Sequence, residues 1–74
     1  MKILIQDRQA IVEITSDIWA TPNGKENYTI FRNGSDEFLS QLGSYTTKER
    51  AMEVLEDLFK NFGDGKSTYI MPLK

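Results

Sequence analysis

The chain has no cysteine and no histidine among its 74 residues, only two prolines, a single tryptophan and no cluster of basic residues. Each absence excludes something. Without cysteine there are no disulfides, and without cysteine and histidine the usual zinc and iron ligands are gone, so no structural metal and no cofactor are expected. Acid/base catalysis at neutral pH loses its most common group, histidine. Nine Lys and Arg against eleven Asp and Glu, scattered to a net charge of −2, argue against duplex nucleic acid, whose binding is dominated by phosphate neutralisation. No apolar run approaches the roughly 20 residues of a membrane span. Met1-Lys2 is followed by only Ile3, Leu4 and Ile5 before Gln6 and Asp7, too short for a signal-peptide core. With the missing cysteine, this reads as a cytoplasmic chain.

A chain of this length makes one domain, residues 1–74, and removes only about 60% of its unfolded surface from water. Domains this small are usually reinforced by disulfides, a metal or self-association. With the first two excluded, a homo-oligomer is expected.

What is present alternates and turns. Residues 2–6 (KILIQ) and 10–14 (AIVEI) are β-rich runs joined by Asp7-Arg8-Gln9, which reads as a hairpin. Ala10, Val12 and Ile14 share one face by the period of two, leaving Ile11 and Glu13 on the other. A third run over 18–21 stops at Pro22-Asn23-Gly24, a turn sequence. Residues 27–32 (NYTIFR) alternate, with Tyr28, Ile30 and Arg32 on one face and Thr29 and Phe31 opposite. A second turn is expected at 33–36 and a further strand over 37–45, with a bulge near Gln41 to Gly43, because Leu39 and Leu42 break the alternation.

Thr46 and Glu49 have capping-box spacing. Ala51, Val54, Leu55, Leu58 and Phe62 then follow helical spacing, with Met52 and Phe59 widening the stripe. Gly63 is placed to end the helix in the left-handed conformation, and Glu56 with Lys60 forms an i,i+4 pair. A last β-rich run, 67–71, precedes Pro72 and either adds an edge strand or reaches a neighbouring subunit. The expected fold is α+β, an antiparallel four- to five-stranded meander packed on one C-terminal α-helix.

No residue pattern carries catalysis. Glu53, Glu56 and Asp57 lie on the polar side of the helix, the serines have no histidine to activate them, and no GxSxG is present. Asn33-Gly34-Ser35 and Gly63-Asp64-Gly65-Lys66 match neither the phosphate loop nor the dinucleotide turn. Trp19 reads as a core anchor or, alternatively, a stacking surface. Tyr28 and Arg32 on one strand face read as a solvated surface or, if half covered, as a cation and a phenol suited to an anion.

The segments KILIQDRQAIVEI, LGSYTTKERAMEVLEDLF and YIMPLK resemble a group of small uncharacterised proteins of phages and mobile elements of Gram-positive bacteria. That resemblance spans most of the chain and implies a binding protein, such as a counter-defence protein holding a nucleotide-like signal. Arg8, Trp19, Lys25, Tyr28 and Arg32 are then the candidate ligand residues. Independently of that resemblance, one helix leaves part of the sheet uncovered, and Leu4, Ile11, Phe31 and Tyr69 are the candidate contacts of a homo-oligomer. The alternative is a protein-interaction module docking on a host protein through a sheet edge or a helix flank.

Overall fold

The computed structural model describes residues 1–15, 17–33 and 40–74. Among these residues, six strands and a helix follow in the order β1 (Lys2–Leu4), β2 (Ile11–Glu13), β3 (Ile18–Pro22), β4 (Tyr28–Arg32), β5 (Gln41–Tyr45), α1 (Lys48–Gly63) and β6 (Thr68–Ile70). The α+β class stands, but the single meander does not. There are two three-stranded sheets, ordered β2-β1-β6 and β3-β4-β5. The antiparallel β1–β2 hairpin and the antiparallel β3-β4-β5 meander are local pairings joined by short connections. The last strand runs parallel to β1, with Ile3 opposite Tyr69. The connection from β1 to β6 runs through four strands and the helix, long enough for the crossover that a parallel pair requires. The expected turn at 33–36 and the start of the strand expected over 37–45 fall largely on residues 34–39, outside the described residues. The expected bulge is present. Ile30 pairs with Gly43 but Phe31 pairs with Gln41, leaving Leu42 as the extra residue.

The helix begins one residue later than its capping-box spacing suggests. Thr47 is the N-cap, its Oγ1 accepting from the Arg50 amide at 3.1 Å. Arg50 stands where a capping box needs Glu or Gln, so the reciprocal bond to the cap amide is missing. At the far end Gly63 is still helical, and the left-handed residue is Gly65, at φ +73°. The Lys66 amide donates to the Asn61 carbonyl at 3.0 Å and the Gly65 amide to that of Phe62 at 3.1 Å, a Schellman closure. Glu56 and Lys60 do not pair. Arg50 and Glu53 do, at 3.6 Å.

The core joins both sheets to the helix through Ile3, Ile5, Val12, Ile14, Ile30, Leu42, Tyr45, Ala51, Val54, Leu58, Tyr69 and Met71. Ala51, Val54 and Leu58 are the buried helix residues, spaced three and four apart. Burying a side chain such as Leu58 contributes about 2–3 kcal/mol. The wider stripe expected on the helix is not all core, because Phe59 is 81% exposed and Phe62 protrudes as well.

Candidate functional site

Gln6 sits where the two sheets meet. Its amide N–H donates to the Leu42 carbonyl at 2.8 Å, linking the end of β1 to β5. Its side-chain Nε2 lies 2.9 Å from the Ser44 carbonyl, 3.3 Å from that of Pro72 and 3.0 Å from that of Leu73, while its Oε1 accepts from the Ser44 amide at 2.7 Å. Three more side chains grip the same terminal segment by its carbonyls: Arg8 to Met71 at 2.7 Å, Tyr45 to Pro72 at 2.8 Å and Arg50 to Lys74 at 2.9 Å. Nothing in the sequence pattern singles out Gln6, because its side-chain partners lie 38 and more residues away.

A polar cleft of about 420 Å³ runs beside this junction, lined in part by Arg50, Glu53, Asp57, Lys60 and Tyr69. Arg50 pairs with Glu53 within it. The Tyr69 hydroxyl donates to Asp57 Oδ2 at 2.7 Å; burial first, and then that bond, raise its pKa well above the ordinary tyrosine value. Burial likewise pushes Tyr45 up to about 12, against the opposing pull of Arg50 and Arg8. Both phenols are therefore neutral donors at physiological pH. Among the described residues no group of three or more carboxylates could hold a metal ion, and no helix is long and apolar enough to cross a membrane.

The five candidate ligand residues do not converge. Arg8, at φ +67° in the β1–β2 loop, is committed to the Met71 carbonyl. Lys25 is exposed in the β3–β4 turn. Tyr28 and Arg32 stand at opposite ends of β4, about 13 Å apart along a strand of this length. Tyr28 pairs with Tyr45, and Arg32 pairs with Ile18. Trp19 is not a core anchor. It is 43% exposed and stacks on Phe31, ring centroids 6.1 Å apart.

The four candidate contact residues divide between the sheets. Leu4 pairs with Ile11 on one side and Ile70 on the other, so these three form an apolar row across the outer face of the first sheet. Ile11 is 69% and Ile70 62% exposed. Tyr69 is corrected: it pairs with Ile3 and faces the core, and Ile70 takes the outward place expected of it. One residue of register exchanges the two faces of a strand. Phe31 belongs to the second sheet, beneath Trp19. No protein-family model, curated protein or solved structure matches the chain.

A second apolar surface was not legible beforehand. Ile18, Leu55, Leu58, Phe59 and Phe62 line an open groove of about 550 Å³ between β3 and the overhanging flank of α1, with Glu56 at its rim. Helical spacing marks Leu55, Leu58, Phe59 and Phe62 as one apolar stripe but does not say which edge of that stripe the sheet leaves uncovered.

Proposed function

We propose that this chain is a non-catalytic binding protein whose partner is another protein, engaged through the outer face of the β2-β1-β6 sheet. The row Ile11, Leu4 and Ile70 carries this reading, since two strongly exposed β-branched side chains flanking a leucine form a contiguous apolar strip, the kind of surface that marks protein contacts. Lys2 and Glu13, paired with each other one row away, supply a polar border to that strip. The resemblance to phage-borne proteins supplies the setting, with a host protein as the partner. Sequestration of a nucleotide has less support, because its five candidate residues are spread over both sheets and Arg8 is already engaged.

The test compares affinity capture from host lysate by the parent chain and by Ile70→Asp. The parent should retain one stoichiometric protein that the variant loses while melting at the same temperature. Equal capture by both, or a thermal shift of the parent with a nucleotide panel and no captured protein, would refute the reading. A nucleotide at 100 Kd should raise stability by about 2.7 kcal/mol.

A further inference from the structure

We propose that β3 is a homodimer edge: two copies pair their β3 strands antiparallel about a two-fold axis at Trp19, joining two three-stranded sheets into one of six strands. This surface lies on the second sheet, so the dimer stands or falls independently of partner binding by the first.

The hydrogen-bond pattern of β3 comes first. The Asn33 amide donates to the Asp17 carbonyl at 3.0 Å, and the Asn23 amide to that of Asn27 at 2.9 Å. In an antiparallel ladder bonded and non-bonded pairs alternate. With the register Ile18↔Arg32 through Pro22↔Tyr28, Trp19 and Thr21 turn their main-chain groups toward β4. Ile18, Ala20 and Pro22 turn theirs outward. Among the described residues no strand pairs with that outer edge. Edge strands are usually guarded by lysine, proline or a bulge. Here residues 18–22 read IWATP, with no charge, and the one guard, Pro22, stands at the end.

This edge is complementary to itself. With Trp19 on the axis, the Ile18 amide of each copy donates to the Ala20 carbonyl of the other, and the Ala20 amide to the Ile18 carbonyl. That gives four bonds, and Pro22 is not needed as a donor. Asp17 falls opposite Thr21 of the second copy, so no like charges meet. The two Trp19 side chains become direct cross-strand neighbours, about 4.5 Å apart at Cα. They extend the Trp19–Phe31 stack into an aromatic row of four rings across the joined sheets.

The helix supplies a second, independent match. A two-fold axis normal to the joined sheet places both helices on one face, each beside the other. Met52, Leu55, Phe59 and Phe62 are spaced three, four and three, the interval of a helix-packing seam. That seam is distinct from the buried Ala51, Val54 and Leu58. It overhangs the β3 side, where Ile18 forms part of the same groove. In the dimer this groove meets its own copy, which explains why Phe59 is left 81% exposed in one chain.

The chain's lack of cysteine makes a direct test simple. Trp19→Cys places two thiols at a separation within disulfide range, so mild oxidation should convert the full chain to a covalent dimer. Thr21→Cys, offset from the axis, should crosslink far less. Sedimentation across the micromolar range should show a dimer for the parent. Ala20→Pro removes only an outward donor and leaves the β3–β4 ladder intact, and it should weaken dimerisation on the order of tenfold to a hundredfold. Phe59→Asp alters an exposed helix position and should dissociate the dimer without lowering helix content. A parent chain monomeric at every concentration, equal crosslinking of the two cysteine variants, or a dimer indifferent to both Ala20→Pro and Phe59→Asp would overturn the proposal.

Discussion

The two long sides of the β3-β4-β5 sheet are finished in opposite ways. On the β5 side, main chain is met by main chain and by the Gln6 amide, and the segment after β6 is held by its carbonyls through Gln6, Arg8, Tyr45 and Arg50. On the β3 side, Ile18 and Ala20 turn their main-chain groups to an edge that no strand among the described residues pairs with, beneath an apolar helix flank. The contrast separates stability from association. The closed side is sewn by bonds spanning most of the sequence and should respond to mutation as a folding unit. The open side contributes little to holding the chain together and is free to meet something else.

The sharpest way to break the closed side is Gln6→Ala. It removes both Nε2 donors, shared among the Ser44, Pro72 and Leu73 carbonyls, and strands the part-buried Ser44 amide, which should cost about 3 kcal/mol. Urea denaturation reads this as a lowered midpoint, and a loss under about 0.5 kcal/mol, the scale of a surface change, would contradict the role assigned to Gln6. Gly43→Ala tests the same junction sterically. A Cβ there would lie 3.0 Å from the Tyr45 hydroxyl, 3.2 Å from Gln6 Cβ and 3.2 Å from Met71 Cε. Overpacking of this kind should cost about 2 kcal/mol, visible as a lower melting temperature, whereas Thr21→Ser on the open side should shift it little.

Alkali offers a third discrimination. Tyr45 and Tyr69 are held neutral in the folded chain, with pKa values raised by burial, whereas in the unfolded chain a tyrosine ionises near pH 10. The unfolded state therefore releases these protons first. The stabilisation from neutral, buried phenols is fully present below about pH 10 and is lost as pH rises through the folded values, about 12 for Tyr45. Melting temperatures measured from neutral pH upward should fall beyond pH 10, and Tyr45→Phe should flatten that fall. An unchanged alkaline slope in Tyr45→Phe would show that another group governs it. The smallest effect separates two adjacent threonines. Thr47→Ala should cost about 1 kcal/mol as the loss of an N-cap, and Thr46→Ala should leave the melting temperature close to that of the parent.

Much of the local structure was legible because it depends on neighbours in sequence. The 3.6-residue period marked Ala51, Val54 and Leu58, the alternation in residues 10–14 separated Val12 from Ile11, and the spacing of Leu39 and Leu42 foretold the bulge. The surfaces were legible only in pieces. Leu4 and Ile11 were identified as an outward pair, but their third member is Ile70, because the face of a three-residue strand is set by its partner's register. Apolarity alone leaves Trp19 open between core anchor and stacking surface, and it places Phe59 at the margin of the helical stripe without saying whether that margin is covered. Neither composition nor spacing states how far a helix overhangs a sheet.

Composition and local period thus determined by themselves an α+β chain with a capped amphipathic helix, short strands and neither thiol nor imidazole side chains. The tertiary structure alone decided that the strands form two sheets, that β6 lies parallel to β1, that Gln6 joins the sheets, and that among the described residues no strand pairs with the outer edge of β3. The reason is physical. Propensity and amphipathic pattern act over a few residues, whereas strand pairing and the satisfaction of main-chain groups by Gln6 or Arg8 are settled between residues up to 67 positions apart, where the pattern of neither partner carries information about the other.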